Sequence, residues 1–171
     1  MKYVAEFKKV SYEQFKKDWT NTFGETYDDK NIQNIYNNIQ LPRRATSGSA
    51  GYDIRSPFTF ILKPNETIKI PTGLRVFIDE SWALKCYPRS SLGFKYRLEL
   101  DNTVGIIDSD YYYSDNEGHI FFKITNNTKE NKTIYINEGD AFAQGVFEEY
   151  GITVDDDPVG IRNGGFGSTG K

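Results

Sequence analysis

Phe58-Thr59-Phe60-Ile61-Leu62-Lys63-Pro64-Asn65-Glu66-Thr67-Ile68-Lys69-Ile70-Pro71-Thr72-Gly73-Leu74-Arg75-Val76-Phe77-Ile78 reads as three short strands separated by two turns. Phe58 to Leu62, Thr67 to Ile70 and Leu74 to Ile78 are rich in aromatic and β-branched residues, which suit a pleated, half-buried surface. Lys63-Pro64-Asn65, and then Pro71 with Gly73, supply the turn chemistry between them. The same rhythm runs outward from this stretch. Gly48, Pro57, Pro88, Gly93, Asn126-Asn127, Asn137 and Gly139 punctuate the chain, and Ile120 to Ile124, Thr133 to Ile136 and Phe142 to Glu148 read as further strands. Short, evenly spaced strands predict an all-β sandwich or jelly roll.

The composition agrees with that class. At 171 residues the chain suits a single domain, with 12 Tyr, 12 Phe and 2 Trp supplying much of the apolar payload. A net charge of −3 offers no broad attraction for polynucleotides, so direct nucleic-acid binding is not expected. One cysteine and one histidine rule out a zinc site of the usual His and Cys kind, which leaves oxygen ligands for any metal. Met1 to Val10 lacks the apolar run of a signal peptide, and no segment is apolar enough to span a bilayer. A cytoplasmic protein is the expectation.

One region breaks the β pattern. Tyr3 to Val10 alternates as a strand, but Ser11-Tyr12-Glu13-Gln14 has the form of a capping box, followed by Phe15 and Trp19 at helical spacing. After Gly24, the residues Ile32, Ile35, Tyr36 and Ile39 recur at i, i+3, i+4 and i+7. Residues 11–39 therefore read as a helical insertion. At the other end, Asp155 to Asp157 and Pro158 lead into a Gly-rich arm over 158–171, expected to be flexible unless a ligand orders it.

Chemistry concentrates in Gly105-Ile106-Ile107-Asp108-Ser109-Asp110-Tyr111, which sets two carboxylates and a phenol at the tip of an apolar strand. Together with Asn102-Thr103-Val104 it resembles the third of five motifs that mark the trimeric dUTP pyrophosphatases (dUTPases). Ala50-Gly51-Tyr52-Asp53-Ile54 resembles the first motif, and Pro88-Arg89-Ser90-Ser91-Leu92-Gly93 the second. Gly139-Asp140-Ala141-Phe142-Ala143-Gln144 is similar to the fourth, and Gly164-Gly165-Phe166-Gly167-Ser168-Thr169-Gly170 to the fifth. The motifs run in the family's order across 41–171.

The resemblance implies a jelly-roll-like subunit and a homotrimer in which each active site combines motifs from different chains. It implies hydrolysis of dUTP to dUMP and pyrophosphate, with Mg2+ as cofactor. Asp108 is then the base that orients and deprotonates the attacking water, a task for which an ionised carboxylate is adequate. Arg89 and Ser90 would bind and stabilise the phosphates, a guanidinium fork being suited to phosphate oxygens, while Ser91 holds the loop. Asn102 and the backbone of Val104, Gly105 and Ile106 would bond the uracil edge. Tyr111 would lie beneath the deoxyribose and leave no room for a 2′-hydroxyl. Asp53 and Gln144 would stand near the phosphates and the waters of the magnesium ion. Arg162 and the arm residues Phe166, Gly167, Ser168 and Thr169 would close over the nucleotide.

Two departures from the family pattern stand out. The arm's arginine is displaced by one position, to Arg162, and Tyr112 to Asn116 lengthen the turn after Tyr111. Asp110 is expected to point away from Asp108 and to serve structure alone. His119, at the start of a strand after that turn, is expected at the surface, and Cys86, in phase with Leu84, in the core. Two other functions fit parts of the sequence. A dCTP deaminase would share the fold and the Arg-Ser-Ser segment, although Asn102 and the Asp108 to Tyr111 signature favour dUTPase. A regulatory protein could use residues 11–39 to engage a protein partner, whereas the plainer role for those helices is to cover a sheet edge or face.

Overall fold

The computed structural model describes residues 2–162 and 164–165. Strand β1 (Ala5–Lys9) is followed by helices α1 (Tyr12–Phe23) and α2 (Asp29–Asn38). The strands β2 (Arg43–Arg44), β3 (Tyr52–Arg55), β4 (Phe60–Leu62), β5 (Thr67–Pro71), β6 (Leu74–Ile78) and β7 (Trp82–Pro88) come next. A short helix α3 (Ser90–Tyr96) then leads to β8 (Leu98–Leu100), β9 (Gly105–Ile107), β10 (Phe121–Asn126), β11 (Ile134–Ile136) and β12 (Ala141–Glu149). The all-β expectation is met, and the fold is a jelly-roll-like β body. Among the described residues no helix is long and apolar enough to cross a membrane.

One sheet has the strand order β2-β3-β12-β7-β9 and another the order β5-β10-β8, while β1 pairs with β6 and β11 with β4. Every one of these pairings is antiparallel. The two larger sheets meet in the core, where Phe122 of β10 packs edge-on against Phe142 of β12 with ring centroids 5.3 Å apart. Register shifts between Ala141 and Ala143 on β12. At that irregularity the Phe142 carbonyl accepts the Arg89 N–H at 3.0 Å, so the fourth motif anchors the second.

The first helix begins at the cap that Ser11 predicts, and the second begins at a cap supplied by Asp28. Ser11 Oγ accepts the Gln14 N–H, and the Asp28 carboxylate accepts the Asn31 N–H. The box is completed differently from the sequence expectation, because Glu117 rather than Gln14 accepts the Ser11 N–H. Phe15, Trp19, Ile32, Ile35 and Ile39 all join the same apolar core as the strands. Trp19 sits among Phe15, Phe23, Tyr27 and Phe58. The close approach depends on Gly73, whose φ of +72° and lack of a side chain let Ile39 and Phe15 lie on its backbone. Residues 11–39 thus complete the core and do more than coat an edge.

The structure corrects three expectations. Ser90 to Tyr96 forms a helix that its turn-like composition conceals. Ser109 to Tyr113 forms a 3-10 helix in place of the expected strand tip. His119 is fully buried instead of lying at the surface, because the segments on either side of it fold inward against α1 and Gly73.

Candidate active site

A cavity of about 390 Å³ opens beside the β7-β9 pair. Asn102, Gly105, Ile106 and Tyr111 line it, together with Cys86 and with Arg162 from the C-terminal arm. The hairpin at its rim is tightly made. Thr103 takes a positive φ of 67°, and the Val104 N–H donates to the Asn102 carbonyl at 2.7 Å. Gly105, Ile106 and Ile107 then pair with Cys86, Lys85 and Leu84, which leads the segment into Asp108. Burial pushes the Cys86 thiol up to about 12, so it is an inert part of the wall.

Asp108 stands at the N-cap of the 3-10 helix, and Tyr111 lies within it. The Tyr111 N–H donates to the Asp108 carbonyl at 3.2 Å, which couples that aspartate to the ring that lines the cavity. Tyr111 is only 3% exposed, and its hydroxyl donates to the His119 carbonyl at 2.6 Å while accepting from Asn116 Nδ2 at 2.9 Å. Burial raises the phenol's pKa, against the opposing effect of the Asn116 hydrogen bond, so the hydroxyl keeps its proton to donate.

Arg162 ion-pairs with both carboxylates of this segment. Its Nη2 bonds the Asp108 carboxylate, and its Nε lies 2.7 Å from Asp110 Oδ1. The expectation that Asp110 turns away from Asp108 is therefore wrong. Side chains two residues apart share a face even in a strand, and the 3-10 helix keeps both within reach of one guanidinium. Gly165 lies so close to the Tyr111 ring that a Cβ there would stand 2.6 Å from Cε2. The arm's arginine, displaced by one position from the family pattern, still reaches the site.

The remaining candidates lie outside the cavity lining. Arg89, Ser90 and Ser91 are exposed at the start of α3. Gln144 pairs across the strands with Asp53 on one side and Tyr87 on the other, and its amide donates to the Pro88 carbonyl at 3.3 Å. These residues form a second group along β3, β12 and the end of β7. Phe166, Gly167, Ser168 and Thr169 lie outside the described residues.

Sequence reasoning does not pair Asp18 with His119, yet the structure does. His119 Nδ1 is 2.6 Å from Asp18 Oδ2, and the Gly73 N–H donates to His119 Nε2 at 2.8 Å. Burial lowers the imidazole's pKa, against the raising effect of Asp18, so the ring is neutral. Burial alone would raise the Asp18 carboxyl, but hydrogen bonds from His119 and Gln14 leave it below its ordinary value. A readable signal lies in α1, where Asp18 stands next to the apolar stripe of Phe15 and Trp19, since a carboxylate close to a core-facing stripe needs a partner.

The dUTPase family model matches residues 37–170. A deoxyuridine 5′-triphosphate nucleotidohydrolase of Lactococcus lactis is 43% identical over 135 residues, covering 77% of this chain and 89% of that protein. Its counterpart in Haemophilus influenzae is 40% identical over 145 residues, covering 80% and 91%. Among solved structures, the dUTPase of Streptococcus mutans superposes with a TM-score of 0.62 at 30% identity, covering 88% of this chain and 98% of that one. The phage phi11 dUTPase of S. aureus, described with a structural Mg(II) ion, shares the fold with a TM-score of 0.62 at 22% identity, covering 92% and 98%. With its motifs in order, its cavity between hairpin and arm, and these relatives, the chain belongs to the dUTPase family.

Proposed function

We propose that the chain hydrolyses dUTP to dUMP and pyrophosphate by attack of water on the α-phosphorus. The observation that carries this reading is the single short helix that sets Asp108 at its cap and Tyr111 in the wall of one cavity. The hairpin at Asn102 to Ile106 offers backbone donors and acceptors for a uracil edge, and a fixed pattern of that kind discriminates strongly against cytosine. Tyr111 supplies the ring beneath the sugar. Asp108 holds the water and takes its proton, while phosphoryl transfer otherwise demands mainly positioning and charge stabilisation.

Arg162 has a second task in this reading. Its guanidinium is ion-paired with Asp108 and Asp110 in the single chain, and a triphosphate that drew it onto phosphate oxygens would leave the Asp108 carboxylate free to accept from the attacking water. The same fork that grips two carboxylates suits phosphate oxygens. Arg89, Ser90 and Ser91 are solvent-exposed in the single chain near Phe94, which is 96% exposed. Their exposure outside the cavity supports a homotrimer in which a neighbouring chain presents them to the phosphates.

Magnesium fits the donor set. Among the described residues no cluster of three His, Cys, Asp or Glu could hold an ion directly. Asp53 and Gln144, cross-strand neighbours, offer oxygen atoms suited to bonding two of the waters that magnesium habitually keeps. When bound, the ion supplies neutralisation of phosphate charge.

The test is pyrophosphate release from dUTP with magnesium, comparing the unmodified chain with Asp108→Asn. The substitution keeps size and removes the base, so a fall of about a hundredfold or more is expected. Undiminished turnover would refute the mechanism. Ammonia release from dCTP, measured in the same series, would instead establish the deaminase reading.

A further inference from the structure

Two features set this chain apart within its motif pattern, the helical stretch 11–39 and the long turn after Tyr111, and the structure joins them. Ser11 donates to Glu117 through its N–H at 2.8 Å and its hydroxyl at 2.6 Å. Deeper in the fold, Asp18 of α1 meets His119 just beyond the turn. The Gly73 N–H occupies Nε2, so the imidazole proton sits on Nδ1 and donates to Asp18. The same histidine's carbonyl accepts the Tyr111 hydroxyl, and Asn116 within the turn donates to that hydroxyl.

Neither Asp18 nor His119 lines the cavity. Their side chains are only 13% and 0% exposed. Burying a carboxylate and an imidazole is costly, and a well-packed apolar pair would commonly stabilise a core as well or better. Stability therefore does not account for them, whereas fixing one geometry does. Rejection of a ribose by lack of room is only as sharp as the wall is rigid.

We infer that Asp18 and His119 are positioning residues for Tyr111, so that the helical insertion sets the height of the ring beneath the sugar and with it the preference for deoxyribose over ribose. This rests on the proposed role of Tyr111 as the floor of the sugar site. The hydroxyl is held at two points, by the His119 carbonyl and by Asn116, and the first of these is fixed through Asp18 to α1.

The experiment measures kcat and KM for dUTP and UTP, with magnesium, in the unmodified chain and in Asp18→Ala, Asp18→Asn, Asn116→Ala and Tyr111→Ala. Asp18→Ala and Asn116→Ala are expected to lower the dUTP-to-UTP ratio of kcat/KM by about three- to tenfold, the scale set by one lost hydrogen bond. The change should come mainly from a lower KM for UTP. Asp18→Asn, which keeps an acceptor for the Nδ1 proton, should retain the original ratio. A merely structural loss would reduce the active fraction for both substrates alike and leave the ratio untouched. Asn116 lies on the turn and outside the core, so its variant keeps the test open even if Asp18→Ala fails to fold. An unchanged ratio in the Asp18→Ala and Asn116→Ala variants, with a lowered one in Tyr111→Ala, would overturn the inference and spare the sugar-site reading. An unchanged ratio in Tyr111→Ala would overturn both.

Discussion

His119 carries a consequence for acid stability. Its ordinary pKa is 6.5, and burial lowers it in the folded chain. Above 6.5 the imidazole is neutral whether the chain is folded or not. As pH falls below that value the unfolded chain takes up a proton that the folded chain refuses, so stability is lost from there downward toward the folded pKa. The charged groups facing the ring are Asp18 from α1, Glu117 from the turn and Lys69 from β5, and the two carboxylates oppose the lowering without cancelling it. Melting temperature should therefore fall as pH is lowered from neutrality through 6.5 and below, and His119→Gln should remove part of that slope. Calorimetry across this range checks it, and an identical slope in the variant would assign the effect elsewhere. The sequence hides this residue's burial because its partners are not local: Gly73 lies 46 residues before it and Asp18 lies 101. Asp108 and Tyr111 are legible for the opposite reason, since one short motif contains both. The orientation of Asp110 is not, because the 3-10 helix that turns it toward Arg162 leaves no periodic trace in so few residues.

At the scale of elements, the strands and the two long helices are written in their periodicity and caps. Helix α3 is not, because seven residues with Gly93 among them and no buried side chain give no apolar stripe to read. Helices α1 and α2 lie almost entirely before the region matched by the family model, yet their inward faces belong to the common core. Trp19 is the largest of those side chains and is wholly buried. Trp19→Ala should cost about 3–5 kcal/mol, through lost apolar burial and the cavity left among Phe15, Phe23 and Phe58. Its indole Nε1 has no hydrogen-bond partner among the described residues. Trp19→Phe should therefore cost less than about 1.5 kcal/mol, since the smaller ring removes an unsatisfied donor along with its volume. Urea unfolding of both variants separates the cases. Equal losses would mean that the indole N–H is satisfied and that volume is not the governing term. Deleting 11–39 outright would uncover this core, so any partner-binding role for the insertion is better tested on its outward side chains.

For the whole molecule, the decisive question is whether one chain can complete a site. Asp108 caps the helix whose Tyr111 borders the cavity, while Arg89, Ser90 and Ser91 stand outside that cavity on the same chain. A shared site makes a specific prediction for mixtures. Asp108→Asn and Arg89→Ala should each be nearly inactive alone, but in the proposed homotrimer a mixed assembly would bring an intact Asp108 from one chain to an intact Arg89 from its neighbour. Co-expression of the two variants with separate affinity tags, followed by purification on both, isolates such trimers. Whichever variant is in the majority, one of the neighbouring pairs around the ring is intact at both positions, so about one third of the unmodified activity should return. Sites built within single chains would recover nothing, because every chain in the mixture carries one defect. The assay also discriminates between causes of inactivity, since a variant that failed to fold would not be captured in mixed assemblies, whereas a folded variant lacking one group would be rescued by its neighbour.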